Sequence, residues 1–345
     1  MPYAERQIMY RRISELRERP LIVYVTSSRL GASAQMSADV IPQFARLLND
    51  IPAGNDAIDI LIVSNGGDPM VSWRVMSMVR ERFKRVGVLL PFAAYSAATL
   101  LALGANDIVM HPFSNLGPVD PQLTHRRRVP GQQGGGELET IQFGSEDLRY
   151  FLDFVRKDVG ISDQDQLEKA FELICKEVGA IPIGVAKRST QLALALSEQL
   201  LRLHVEDNTT AHTIAEALNR SFYHHGYALG RTEAKRIGLP VVNPEPELEE
   251  VLWAVWRDLE EEMQCNTAFN PLEHVLNSSA AGALFSPVPL FQLPANLPPP
   301  MQVEAFQSML QRVSVIQVPP IDFSLFVATL ECEWCRSEFK QTGKM

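Results

Sequence analysis

Short β-branched runs alternate with segments of helical period along the first third of the chain. Residues 4–18 are charged with helical spacing, and LIVYVT at Leu21–Thr26 is typical of a strand buried on both faces. The runs DILIVS at 59–64 and VGVLLPF at 86–92 predict two further buried strands, with a helix between them over 73–85. This alternation predicts βαβ units with right-handed crossovers, and hence an α/β fold with a parallel β-sheet core.

One uncharged stretch, residues 86–105, has the length of a membrane span. A proline, three hydroxylated side chains and two glycines interrupt it. We therefore predict a buried strand followed by a buried small-residue helix over 96–104, and no stable membrane insertion. DIVM at Asp107–Met110 predicts a fourth, short strand.

Helical spacing dominates the second half of the chain. Residues 147–202 are helical in pattern, and the apolar stripe over 188–203 predicts either core packing or a subunit interface. The arginine- and glycine-rich residues 126–145 predict a mobile loop. The predicted organisation is a core domain over 1–245, a helical extension over 246–285, a proline-rich linker over 286–302 and a C-terminal tail over 303–345.

Composition and charge narrow the class of protein. With 46% hydrophobic and 21% charged residues, the chain has the composition of a soluble globular protein. Its net charge of −9 provides no general attraction to nucleic acid or anionic lipid. Four cysteines are too few for a disulfide framework, and the first twenty residues lack the apolar core of a secretory signal. We expect a cytoplasmic protein with no nucleic-acid partner.

Two features point to chemistry at the carboxyl ends of the predicted strands. Gly66 and Gly67 directly follow a buried strand, where residues without a Cβ let backbone N–H groups approach a ligand, as an oxyanion hole requires. Ser96, in AAYSAAT, lies at a strand-to-helix junction suited to a nucleophile. The alternatives are a tight turn for the glycines and a helix N-cap for the serine. Neighbouring parallel strands end where α/β sheets form ligand crevices, which favours the joint interpretation.

Three segments resemble one protein family. IVSNGGD at 62–68, AAYSAATLLALGANDIVMHPFSNLGPVDPQ at 93–122 and HHGYALGRTEAKRIGLPVV at 224–242 are similar, in the same order, to the serine dehydrogenase proteinase family. That family is related to Clp protease and bacterial signal peptide peptidase. The resemblance implies a Clp/crotonase-like fold, a serine peptidase without a cofactor, peptide or protein substrates, and a homo-oligomer.

The resemblance also implies an ordered catalytic triad. Ser96 corresponds to the nucleophile, Asp120 of GPVDPQ to the orienting carboxylate and His225 of HHGYAL to the general base. A neutral imidazole takes the hydroxyl proton while a carboxylate fixes its tautomer. His224 is adjacent and remains an alternative base. Asp120 alternatively initiates a turn before a proline.

Other candidate bases remain open at this stage. Signal peptide peptidases use a lysine, so Lys157, Lys176 and Lys187 are candidates, because a buried lysine can lose its proton near neutral pH. His111 lies fifteen positions beyond the serine. The chain also departs from its relatives at Asn65, where a proline commonly precedes the glycine pair.

A cysteine pair near the C-terminus is a further candidate site, and two functions other than a serine peptidase are possible interpretations. Cys332 and Cys335 form a CxxC, which is half the ligand set of a structural zinc site or, alternatively, a surface thiol pair. A catalytically silent oligomeric scaffold of the same fold is one alternative function. An acyl-CoA-binding enzyme of the crotonase type is another, although nothing in the sequence resembles a CoA adenine pocket.

Overall fold

The computed structural model describes residues 3–128, 138–220, 226–277, 298, 301–304, 307–308, 325–333 and 339–343. Its strands are β1 (Leu21–Thr26), β2 (Ala57–Val63), β3 (Arg85–Leu90), β4 (Ala93–Ala94), β5 (Asp107–Met110), β6 (Asn115–Leu116), β7 (Leu123–Arg128), β8 (Leu138–Phe143), β9 (Leu229–Gly230), β10 (Val241–Val242), β11 (Leu325–Cys332) and β12 (Phe339–Gly343).

Its helices are α1 (Tyr3–Arg17), α2 (Ile41–Asp50), α3 (Pro69–Arg82), α4 (Ala97–Leu103), α5 (Ser145–Asp153), α6 (Gln164–Val178), α7 (Ala180–Leu201), α8 (Asn208–Arg220), α9 (Arg231–Arg236), α10 (Pro246–Glu262) and α11 (Pro271–Asn277). A 3₁₀ turn over Ala38–Val40 precedes α2, and a π-helical turn over Phe154–Asp158 follows α5.

A mostly parallel sheet forms the centre of the fold. Within the described residues it has seven strands, in the order β10-β5-β3-β2-β1-β11-β12. The five strands from β10 to β1 run parallel, and β11 and β12 add antiparallel at the far edge. The predicted α/β fold with a parallel core is confirmed.

Both faces of this sheet are covered, which explains the continuous apolar strands. In β1, Ile22 and Tyr24 pack into a layer formed with α2, α3, α4, α7 and α8. Leu21 and Val23 face the opposite layer, built by α1 and α10. A strand buried on both faces has no polar side to alternate with.

The uncharged stretch 86–105 forms a buried strand and a buried helix, as predicted. It contributes β3 to the centre of the sheet, and every residue of α4 is buried. Among the described residues, no helix has the length and apolarity needed to cross a membrane.

The predicted C-terminal divisions are wrong. β11, placed by the sequence in a separate tail, pairs antiparallel with β1, so that Ile22 lies opposite Cys332. α10, placed in an extension, packs against α1 on the core sheet. The boundaries at 245 and 303 therefore separate no structural units. The proline-rich segment 286–302 lies almost wholly outside the described residues.

The predicted mobile loop at 126–145 is also partly wrong. β7 and β8 form an antiparallel hairpin in which Leu123 lies opposite Phe143. Residues 129–137 lie outside the described residues. Backbone pairing across the hairpin satisfies main-chain groups whatever the polarity of the side chains, so composition alone did not predict these strands.

The prediction of a surface thiol pair at the CxxC is wrong for its first cysteine. Cys332 is buried in β11 and disulfide-bonded, and Cys335 lies outside the described residues. In the described part of the chain, no group of three or more metal-ligating side chains comes together.

A buried ion cluster joins both ends of the chain to α10. The guanidinium of Arg6 is fully buried and contacts Asp258 at 2.5 Å, Glu262 at 2.6 Å and Glu331 at 3.0 Å. Tyr10 donates its hydroxyl to Glu331 at 2.5 Å. Burial alone lowers the pKa of Arg6, but the hydrogen bonds and charges around it outweigh burial and raise that pKa above its ordinary value. α1, α10 and β11 thus share one charged contact.

Replacing Arg6 should test this cluster. Arg6→Met leaves the buried carboxylates of Asp258 and Glu331 without their cation, which should lower the free energy of unfolding by about 3–5 kcal/mol. The matched control is Arg12→Met, on the same helix, which removes an exposed pair with Glu247 and should change the urea midpoint little. Equal midpoint shifts for the two variants would contradict this interpretation.

Candidate active site

The backbone at Ser96 is held in a strained conformation. Two residues after β4, Ser96 has φ 51° and ψ −116°, and α4 begins at the next residue. A non-glycine residue with positive φ costs about 1–3 kcal/mol and persists where its surroundings impose it, which is common at functional sites. The partly exposed hydroxyl of Ser96 makes no cap hydrogen bond. The alternative of a simple N-cap serine is therefore wrong.

Gly66 contacts this turn directly, and Gly67 lies against Met36. Gly66 has φ 93°, and a Cβ there would lie 2.5 Å from the carbonyl oxygen of Tyr95 and 2.9 Å from the nitrogen of Ala97. At Gly67 a Cβ would lie 2.3 Å from the carbonyl oxygen of Met36. No other residue fits at either position without backbone movement. The two glycines thus allow a close backbone approach, beyond what a tight turn requires.

Hydrogen bonds fix which N–H groups of this loop remain available. Met36 N–H donates to the carbonyl of Gly66 at 2.8 Å, and Asp68 N–H donates to the carbonyl of Met36 at 2.9 Å. The N–H of Gly66 donates to Ser64 Oγ at 3.1 Å. Gly66 therefore contributes shape, and its own N–H is already used. The N–H of Gly67 has no acceptor among the described residues.

A second available donor is the N–H of Ala97, which the sequence did not identify. As the first residue of α4 it has no intrahelical acceptor, and none is found elsewhere in the described residues. It lies beside Gly66, where a Cβ would come within 2.9 Å of the Ala97 nitrogen. Gly67 and Ala97 thus each have an N–H group without an acceptor among the described residues. Such free backbone donors are the groups that form oxyanion holes.

Buried hydroxyl groups hold the turn in place. Thr26 Oγ1 donates to Ser64 Oγ at 2.7 Å, and the N–H of Tyr95 donates to the carbonyl of Ser64 at 3.0 Å. Thr99 Oγ1 lies 2.8 Å from the carbonyl of Ala94 and 2.9 Å from that of Gly117. Short side chains therefore tie β2, β4 and α4 to one another around Ser96.

Asn65 does not disturb the glycine loop. Its side chain is exposed, while the loop on either side of it is fixed by Ser64 and by the bridge between Met36 and Gly67. The proline common in relatives is therefore not required for the loop to reach Ser96.

Asp120 lies on the segment that runs beside β4. The N–H of Gly117 donates to the carbonyl of Ala94 at 2.8 Å, which anchors this segment two residues from Ser96. The carboxylate of Asp120 is partly buried and accepts a hydrogen bond from Gln122 Nε2 at 2.8 Å.

His224 and His225 lie outside the described residues. The chain on both sides of them is described, and both flanks contact the segment that leads to Asp120. Leu218 accepts a hydrogen bond from the N–H of Val119 at 3.0 Å, and Leu229 pairs with Leu116 in the small sheet.

The three candidate lysines lack the burial that their role requires. Lys157 is 71% exposed and pairs with Asp153 at 2.9 Å, and both Lys176 and Lys187 are exposed. A lysine base of this kind must be buried, and none of the three is buried in this chain by itself.

His111 occupies an aromatic cluster on the other face of the sheet. It stacks on Trp253 of α10 with ring centroids 4.9 Å apart, and its Nδ1 accepts the N–H of Phe113 at 3.2 Å. Burial lowers its pKa. Ser96 leads into α4, which packs on the opposite face, so the structure does not bring His111 and Ser96 together.

Comparisons with known proteins agree with the resemblance found in the sequence. Residues 40–130 match the family model of ClpP-like SDH-type serine proteinases. The matched region includes the glycine pair, Ser96 and Asp120, and it ends before His224 and His225. The resemblance is therefore confirmed over the segment that carries the candidate nucleophile.

Two curated relatives come from Methanocaldococcus jannaschii, and both are uncharacterized. MJ1495 is 24% identical over 184 residues, which is 53% of this chain and 51% of that protein. MJ0137 is 36% identical over 66 residues, covering 19% of this chain and 23% of that protein. The chain thus spans about half of the first relative and a quarter of the second.

Two solved structures align at low TM-scores. A serine-to-alanine mutant of the 1510-N membrane-bound stomatin-specific protease gives a TM-score of 0.34 at 17% identity, over 63% of this chain and 79% of that one. ClpP1 from Listeria monocytogenes gives 0.33 at 14% identity, over 69% and 98%. Alignments this distant support no conclusion about function.

Substitutions at Ser96 should reveal the strain in its backbone. Ser96→Gly and Ser96→Ala both remove the hydroxyl, but only glycine adopts positive φ freely, so the glycine variant should be more stable by about 1 kcal/mol. The same pair at Ser189, inside α7, should show the opposite order, because glycine weakens helices. Urea unfolding of the four variants measures both differences, and the same order at both positions would contradict the assignment of strain.

Proposed function

We propose that this protein is a serine peptidase that cleaves peptide or protein substrates through an acyl-enzyme on Ser96. The observation that carries the proposal is the positive-φ turn at Ser96, which packs against Gly66. The match of residues 40–130 to a serine proteinase family supports it. The activity of the whole protein, its substrates and its partners remain proposals.

The proposed reaction begins with attack of Ser96 Oγ on the carbonyl carbon of the scissile bond. The hydroxyl proton passes to a base, and the developing oxyanion accepts hydrogen bonds from the N–H groups of Gly67 and Ala97. The C–N bond then breaks, the leaving amine takes the proton from the base, and an ester remains on Ser96. Water activated by the same base hydrolyses that ester.

His225 is the base in this proposal. Leu229 lies two strands from Ala94, about 10 Å away at the usual strand spacing, and four residues span at most about 14 Å. A side chain four residues before Leu229 is therefore within range of Ser96. His224 has almost the same reach, and it stays an alternative for the experiment to separate.

Asp120 orients the base in this proposal. The segment that bears Asp120 contacts both flanks of the histidine pair, since Val119 bonds to Leu218 and Leu116 pairs with Leu229. Gln122 holds one oxygen of Asp120, which limits the rotation of the carboxylate. A fixed carboxylate stabilises the imidazolium that forms during attack.

We further propose that the protein acts as a homo-oligomer in the cytoplasm. Large apolar side chains are exposed on the helices that follow the hairpin, including Phe154, Leu173 and Ile181. Exposed apolar surface of this kind is typical of protein contacts. A monomeric mass by light scattering at micromolar concentration would contradict the oligomer.

A fluorophosphonate probe tests the proposed nucleophile. Ser96 Oγ should displace fluoride from phosphorus, and mass spectrometry should locate the adduct on the peptide that contains Ser96. Labelling should rise with pH through the pKa of the base, near 6.5 for an ordinary histidine, because only the neutral imidazole accepts the proton. His225→Gln should lower the rate by about 10²–10⁴-fold, while His224→Gln should change it little.

Ser96→Ala supplies the control for specific labelling. Loss of the adduct in this variant, with an unchanged far-UV spectrum, supports the proposal. Absence of labelling in folded, oligomeric wild-type protein at every pH would contradict it and favour the catalytically silent scaffold. A larger effect of His224→Gln would assign the base to His224.

A further inference from the structure

A groove separate from the Ser96 turn lies among the helices that follow the β7–β8 hairpin. α5, the π-helical turn, α6 and α7 enclose a cavity of about 510 Å³. Apolar side chains form its floor, from Leu148, Leu152, Phe171, Ile174 and Ile183. Phe171 is 44% exposed, so the floor is open to a ligand. A volume of this size holds several large side chains.

The rim of the groove carries more cations than carboxylates. Arg149 pairs with Glu146, and Asp153 pairs with Lys157. Arg156 and Lys187 also line the groove, and neither has a salt-bridge partner among the described residues. The rim therefore presents three cations and two carboxylates above an apolar floor, and two of the cations form no salt bridge among the described residues. Such a surface is complementary to a ligand that is apolar and bears a carboxylate.

The backbone is irregular where one of these cations projects. Arg156 lies in the π-helical turn Phe154–Asp158, which interrupts the regular helix after α5. π-Helical turns are rare and occur frequently at functional sites. Two independent features, an excess of cations and an irregular helix, thus coincide at one edge of the groove.

We propose that this groove binds a peptide segment with large apolar side chains and a carboxylate. A peptide fits better than a fatty acid, because the rim also carries Glu146 and Asp153, which can accept hydrogen bonds from peptide N–H groups. A fatty acid has no such donors. The apolar side chains would contact Phe171 and its neighbours, and the carboxylate would lie between Arg156 and Lys187.

The groove adjoins the segment that bears Asp120. A Cβ on Gly144, the residue before α5, would lie 3.2 Å from Gln122 Nε2 and 3.3 Å from the carbonyl of Pro121. Gln122 in turn contacts Asp120. A peptide held in the groove is thus anchored on the helical module that starts next to the candidate site. The binding itself does not depend on catalysis by Ser96.

Fluorescence anisotropy with defined peptides tests the groove. The probe is a fluorescein-labelled hexapeptide ending in Leu-Phe with a free carboxylate, and its partner is the same peptide as a carboxamide. Both are titrated into Ser96→Ala protein, which cannot cleave them, so failure of binding is separable from failure of catalysis. We expect the carboxylate peptide to bind about tenfold more tightly than the carboxamide.

Variants of the rim and floor complete the test. In the double variant Arg156→Ala and Lys187→Ala, the acid peptide should bind about tenfold more weakly and the difference between acid and amide should disappear. Phe171→Ser should weaken both peptides, whereas Lys176→Ala, exposed on α6 but not lining the groove, should weaken neither. These side chains are at the surface, so the variants should keep the wild-type thermal midpoint.

Several results would overturn the proposal. Equal affinity for the acid and amide peptides, or an affinity unchanged in the double variant, would remove the role of the cations. If laurate displaces the labelled peptide at a lower concentration than the unlabelled peptide does, the groove would be assigned to a fatty acid. A third result would assign the groove to a second copy of the chain. In that case peptide binding would fall as the wild-type protein forms oligomers, and the Phe171→Ser variant would be monomeric and bind the peptide again.

Discussion

A contact between two stretches of main chain determines the geometry of the candidate site. Gly66 packs against the backbone of Tyr95 to Ala97 so closely that no Cβ fits between them. Ser96 has positive φ at this contact, and it immediately precedes α4. The strained backbone conformation persists because hydrogen bonds from Thr26, Ser64 and Thr99 fix the surrounding strands.

The rigidity of this frame depends on charges that are buried far from the site. Asp59 is buried where β2 passes Gly87, and a Cβ on that glycine would lie 2.2 Å from Asp59 Oδ1. Arg19 forms salt bridges with Asp59 and Asp107 at 3.0 Å each. These contacts connect the N-terminal residues of β2 and β5 to the segment that follows α1. Paired buried charges specify one arrangement of strands, because any other leaves a carboxylate uncompensated.

Local pattern was enough to predict the parallel core and the strand-to-helix junction at Ser96. β-Branched runs mark β1, β2, β3 and β5, and the small residues around Ser96 mark α4. β11 could not be assigned in this way, since its pairing with β1 joins residues about three hundred positions apart. The carboxylate of Glu331 is buried in β11, where Arg6 and Tyr10 compensate it across the fold. Ala97 carried no signal because its contribution is a main-chain N–H.

The most direct test of this account is a crystal structure of the protein with a peptide boronate bound. The account predicts a covalent bond from Ser96 Oγ to boron, with one boronate oxygen about 2.7–3.1 Å from the N–H groups of both Gly67 and Ala97. A boronate on Ser96 whose oxygens all contact solvent or other donors would contradict the proposed oxyanion hole. A boronate bound elsewhere, with Ser96 unmodified, would contradict the proposed nucleophile itself.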